Sequence, residues 1–127
     1  MKKKNLLFVP VFYLANFITI LLYLFPGSLL GCFLYNDCSI QPRITRDFIV
    51  SSNHFYMFFM LTSLGILAFH KTKNIRFLVI YLLLLSIILE LSHIIVPVRG
   101  FEWPDIFGNI LGVILVIIIY KFKYKNA

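Results

Sequence analysis

Residues 77–96 read FLVIYLLLLSIILELSHIIV, a run in which Tyr81, Glu90 and His93 are the only titratable groups. A helix of that length extends about 30 Å, the depth of a bilayer's hydrocarbon core. With so few polar groups it has no broad face to offer water, and it reads as a membrane span closed by Pro97. Three further runs read alike: residues 6–25, stopped by Pro26 and Gly27; residues 49–69; and residues 104–120. In the last, Pro104 suits the first helical position and Asp105 the positive end of the helix dipole. The expected fold is an all-α membrane protein, one domain over residues 1–127 built as a four-transmembrane-helix bundle.

Composition leads to the same place. Of 127 residues, 61% are hydrophobic and 13% charged, and the mean hydropathy is +0.92, too apolar for one soluble core. Four spans leave no length for a separate catalytic domain. The net charge of +7 could point to nucleic acid, but the basic residues sit at the ends of apolar runs, so no nucleic-acid partner is expected. Lys2-Lys3-Lys4 ahead of an apolar stretch resembles the start of a signal peptide. The stretch is too long for one, and no small-x-small site follows it, so it reads as an uncleaved first span.

Between the spans lie a long loop, residues 26–48, with a weak helical signal at 29–35; a basic connection, residues 70–76; and a short linker, residues 98–103. The short linker makes the third and fourth spans antiparallel neighbours. Lys2, Lys3, Lys4, Lys71, Lys73, Arg76, Lys121, Lys123 and Lys125 fall on one side of the bundle. Only Arg43, Arg46 and Arg99 fall on the other. The positive-inside rule then puts both termini in the cytoplasm and the long loop outside, which makes this a multi-pass protein of the cell membrane. The acidic residues, Asp37, Asp47, Glu90, Glu102 and Asp105, all fall on the outer side or in the outer half of a span.

An ionisable side chain within a span costs several kcal/mol without a partner, by roughly 3 kcal/mol even on lenient scales, which singles out Glu90 and His93. Their i, i+3 spacing puts them on one face with Ser86; Ser92 points away from it. On the fourth span Asp105, Gly108, Asn109 and Gly112 share a face. Gly108 and Gly112 form a Gly-x-x-x-Gly pair for helix packing, with the third span as the expected neighbour. Arg99 lies in the connecting turn, within reach of Asp105 or Glu90. His54 stands near the outer end of the second span. The first span carries Tyr13, Asn16, Thr19 and Tyr23 on one face, the side expected to pack inward. The candidate site is therefore His54, Glu90, His93, Arg99, Asp105 and Asn109. The plainer alternative is that these groups only hydrogen-bond one another as interhelical glue. No His-Glu-x-x-His motif or second Glu-x-x-His pair is present, so neither metal nor other cofactor is expected. Cys32 and Cys38 in the long loop are either a structural disulfide or two unpaired thiols, and they lack Cys-x-x-Cys redox spacing.

These spacings carry a resemblance. Glu90-x-x-His93, Pro97-x-Arg99-Gly100-Phe101 and Asp105-x-x-x-Asn109-x-x-Gly112, with His54-Phe55 before them, resemble the signature of the VanZ-like family of small bacterial membrane proteins over residues 50–120. His93 stands where that family usually has Gln, and Val50 and Ser51 stand where an Asp-Lys pair is usual. The resemblance implies a cell-envelope role, linked in the family's namesake to teicoplanin resistance. The expected activity is binding of membrane lipid, through an anionic headgroup or a lipid-linked cell-wall precursor, with Arg99 holding the phosphate. Two alternatives stand beside it. One is an intramembrane hydrolase or transferase with His93 or His54 as general base and Glu90 orienting it. The other is an accessory subunit that forms homo-oligomers through the glycine pair.

Overall fold

The computed structural model describes residues 3–125, so Lys2 of the charge tally lies outside the described residues. Five helices follow one another: α1 (Lys3–Leu24), α2 (Leu29–Tyr35), α3 (Ser52–Phe69), α4 (Ile75–Ser92) and α5 (Trp103–Lys125). Four of them, all but α2, are long and apolar enough to cross a membrane. The protein is an all-helical, multi-pass membrane protein.

The packing is that of a chain solvated by lipid. Leu7, Phe17, Phe77, Ile88 and Phe122 face outward, while Thr19, Thr62, Ser86, Glu90, His93 and Asn109 are buried between helices. With hydrocarbon outside, apolar side chains lose nothing by exposure, and polar groups must find partners within the bundle. Phe12, Phe58, Leu61, Leu82, Leu89 and Val113 fill the remaining interior. The central element is α3, packed most closely on α5 and next on α1.

Gly108 and Gly112 let α5 approach α3, not α4. A Cβ on Gly112 would stand 2.7 Å from the Phe55 carbonyl oxygen and 2.9 Å from the Phe59 nitrogen; one on Gly108, 2.8 Å from the Ser51 carbonyl oxygen. The short linker does bring α5 back beside α4, but it is Asn109, a third of a turn round the helix, that faces α4.

Helix ends differ from the apolar runs where backbone hydrogen bonding, which hydropathy does not record, decides them. The α4 helix stops at Ser92, not Val96, and His93, Ile94 and Ile95 tighten into i→i−3 turns. Pro97 disfavours helical geometry at Val96 and leaves Ile94 and Ile95 exposed beyond the helix. The last helix starts one residue early, at Trp103, and runs on to Lys125, where Lys123 and Lys125 face the negative end of its dipole. Ser28 caps α2, accepting from the Gly31 nitrogen at 3.0 Å, and the Cys32–Cys38 disulfide ties its end to the loop beyond.

The α3 helix begins at Ser52 because residues 48–51 run as a lead-in, with Ser51 extended. Asp47 supplies the cap, accepting from the Ser52 backbone N–H at 3.1 Å and from its hydroxyl. Chiefly through that backbone bond, with Arg43 and the hydroxyl adding to it against partial burial, the Asp47 carboxyl is held below the usual carboxylate range. Its contribution is complete above about pH 4 and is lost as pH falls through the lowered value. Asp47→Asn is expected to cost about 1 kcal/mol at neutral pH, read as a lower thermal midpoint in detergent, and to flatten the acid limb of the stability profile.

Candidate functional site

At the long-loop end of the bundle, four spans each send polar groups inward. Two main-chain carbonyls, which can only accept, fix the hydrogen positions. Asn109 Nδ2 donates to the Ser86 carbonyl at 2.9 Å, so Asn109 Oδ1 turns toward α1 and α3. There it accepts from the Tyr23 hydroxyl at 2.5 Å. With that hydroxyl hydrogen committed, His54 Nδ1, 3.0 Å from Tyr23 Oη and 3.1 Å from Asn109 Oδ1, must be the donor to both. The other ring nitrogen of His54, Nε2, lies 3.5 Å from Asp105 Oδ2, and Asp105 Oδ1 accepts from the Ser51 hydroxyl.

His93 is oriented the same way. Its Nε2 donates to the Tyr23 carbonyl at 2.9 Å, and the two rings stack with centroids 5.7 Å apart. This leaves His93 Nδ1 directed at Glu90 Oε2, 3.3 Å away. Glu90 is fully buried; its Oε1 accepts from the Glu102 backbone N–H at 3.2 Å, while Oε2 has no hydrogen-bond partner among the described residues. The same Oε2 lies 3.7 Å from His54 Nδ1. Both imidazoles thus face Glu90 Oε2 through Nδ1, and Asp105 meets His54 at its other ring nitrogen.

Arg99 does not pair with Asp105 or Glu90. No ion pair joins it to either among the described residues; its Nη2 donates to the Leu22 carbonyl at 2.8 Å and its Nε to the Phe25 carbonyl at 3.2 Å. The last carbonyls of α1 have no partners within their own helix and carry the negative end of its dipole, so a guanidinium in the nearby turn is drawn to them. Burial lowers the proton affinity of Arg99, and Tyr23, Glu90 and Asp105 offset that.

His54, Glu90, His93, Asp105 and Asn109 therefore form one cluster, with Arg99 beside it on the end of α1. The prediction from sequence omitted Tyr23, Ser51 and Ser86, all of which bond within the cluster. Tyr23 was legible as the last member of the polar face of α1; what the sequence withheld was how deeply α1 enters the site. Above the cluster opens a cavity of about 840 Å³. His54, Asp105, Tyr23 and Arg99 line its polar part, and Leu30, Leu34, Met57 and Met60 its apolar part.

Among known proteins, no curated sequence and no solved structure matches the chain. A model of the VanZ/LLP1 family matches residues 37–124, a stretch that takes in α3, α4, nearly all of α5 and every cluster residue but Tyr23. With well over half of its length matched, the chain belongs to the VanZ/LLP1 family.

Proposed function

We propose that the cavity binds the phosphate-bearing headgroup of a membrane lipid or lipid-linked cell-wall precursor at the outer face of the bacterial cytoplasmic membrane. The supporting observation is the mixed lining: His54 and Arg99 share the cavity with Leu30, Leu34 and Met60, each about half exposed. An amphiphile needs such a lining, and about 840 Å³ is within the range of small-molecule sites, roughly 300–1,000 Å³. The excess of Lys and Arg at the opposite end supports the orientation, with the long loop outside.

Arg99 is the group suited to the phosphate. Its bonds to the end of α1 use two of the five N–H donors of a guanidinium, and the remainder can serve a ligand on the cavity side. A charge-assisted bond of this kind contributes about 2 kcal/mol. Arg99→Gln, which keeps one amide donor for the α1 carbonyls, is expected to lower the phospholipid co-purifying per chain by at least about tenfold. Lipid extraction and mass spectrometry of folded protein would measure it. Undiminished lipid in a folded variant would reject the proposal. Teicoplanin susceptibility of cells carrying the same variant tests the link to resistance.

A further inference from the structure

An anionic headgroup poses an electrostatic problem, because Asp105 lines the same cavity, Glu90 is buried 3.7 Å from His54 in its lining, and the Arg99 side chain is turned to α1. We infer a binding site there for a divalent first-row transition cation, with Zn2+ the best match, held by His54, Glu90 and Asp105. No metal was expected from the sequence, because its ligands come from three different spans and share no motif.

The geometry supports the assignment. One ligand atom from each of the three residues lies within 4.8 Å of the others. His54 Nε2 lies 3.5 Å from Asp105 Oδ2, and Glu90 Oε2 approaches the same ring from its Nδ1 edge at 3.7 Å. A tetrahedral zinc with bonds of about 2.0–2.1 Å has ligand atoms about 3.4 Å apart. The independent sign of a missing ligand is Glu90 Oε2, a fully buried carboxylate oxygen without a hydrogen-bond partner. Among the described residues no Lys or Arg forms an ion pair with Glu90 or Asp105. A dication would neutralise both carboxylates, of which Glu90 is fully buried.

The surroundings have the form of a second coordination shell. His54 Nδ1–H is held by Asn109 Oδ1 and Tyr23 Oη, which leaves the Nε2 lone pair on the Asp105 side. The Ser51 hydroxyl holds Asp105 Oδ1, and the Glu102 N–H holds Glu90 Oε1, so each carboxylate keeps one oxygen for the metal. Such partners fix the tautomer and direction of metal ligands. An imidazole in the set favours zinc, copper, iron or nickel over magnesium, calcium and manganese. Three protein ligands leave a fourth position, and the side chains of His54 and Asp105, 17% and 14% exposed, open it to the cavity. A phosphate oxygen there would bridge headgroup to protein; this last step rests on the headgroup reading, whereas the cation site does not.

The test uses the full chain, purified in detergent and stripped with chelator. Calorimetry with Zn2+ and elemental analysis are expected to give one zinc per chain. Affinity should fall at least about tenfold in Glu90→Gln and in Asp105→Asn, and about tenfold in Tyr23→Phe, which loosens His54 without removing a ligand. His70→Ala, at the opposite end of the bundle, should bind as wild type. Thermal midpoints identify which variants are folded. Absence of stoichiometric zinc in the wild type, or wild-type affinity in folded Glu90→Gln and Asp105→Asn, would overturn the site. Lipid is measured on the same samples: zinc bound with no lipid retained supports the site and rejects the headgroup reading, and lipid retained with no zinc does the reverse.

Discussion

Gly112→Leu is expected to lose the bundle's central packing, with a destabilisation of at least about 3 kcal/mol and a fall in thermal midpoint of roughly 10 °C or more. The reason is the identity of the obstructing atoms. A Cβ at this position would meet the Phe55 carbonyl oxygen at 2.7 Å, the Phe59 nitrogen at 2.9 Å and the Phe58 Cβ at 3.2 Å. Two of these are main-chain atoms of α3, which cannot rotate aside as a side-chain terminus can. The helices must separate, and α3 is also the helix against which α1 packs. Separation costs dispersion contacts along both interfaces, and in a bilayer those contacts are the main force joining helices, because lipid supplies no hydrophobic drive between them.

Two comparisons make the test specific. Gly100→Ala places a Cβ with nothing within 4 Å, so its midpoint should match wild type. Gly108→Ala should lie between the two, since its Cβ meets the Ser51 carbonyl oxygen at 2.8 Å and the His54 Cβ at 3.3 Å. It should also disturb ligand binding, because it pushes on His54 directly. Equal midpoints for Gly112→Leu and Gly100→Ala would contradict the close approach of α5 to α3.

The spans and the polar face of α4 were legible because apolar length and helical periodicity are local properties. So was the neighbourhood of α4 and α5, since six linker residues permit little else. The partner of the glycine face was not. It depends on the rotation of α5 about its own axis, set by which neighbours fit around it, and the nearest helix in sequence was not the one the glycines admit. Arg99 was misread for a related reason: its competing acceptors are the open carbonyls of α1, more than seventy residues earlier in the chain. The stop at Ser92 was hidden by Ile94, Ile95 and Val96, which continue the apolar pattern after the helical hydrogen bonds have ended.

Asn109→Leu is the second substitution expected to have a large effect, about 3 kcal/mol, and its cause differs from that of Gly112→Leu. Leucine has the branching and the number of side-chain heavy atoms of asparagine, so steric conflict is minor and the loss is polar. Asn109 is fully buried, and its one amide group meets α4 at the Ser86 carbonyl, α1 at the Tyr23 hydroxyl and α3 at His54 Nδ1. An interhelical hydrogen bond in a membrane contributes on average only about 0.6 kcal/mol, so three of them alone give less than the expected total. The remainder comes from donors left unpaired away from water, at about 1–3 kcal/mol each. Part of that can be recovered: with Asn109 gone, the Tyr23 hydroxyl can donate to His54 Nδ1, 3.0 Å away, if the His54 proton moves to Nε2. That repair gives a signature no packing defect shares. Tyr23→Phe alone should cost about 1 kcal/mol, and the double substitution should cost about 1 kcal/mol less than the sum, because the Tyr23–Asn109 bond can be lost only once. The 15N shifts of His54 should report the change from Nδ1–H to Nε2–H in Asn109→Leu but not in Gly112→Leu. Strict additivity in the thermodynamic cycle, together with an unchanged tautomer, would mean that Asn109 fills space and does not order the cluster. With the proton on Nε2, the nitrogen facing Asp105 no longer has a lone pair to give, so the residue that joins four spans also decides whether His54 can act as a ligand.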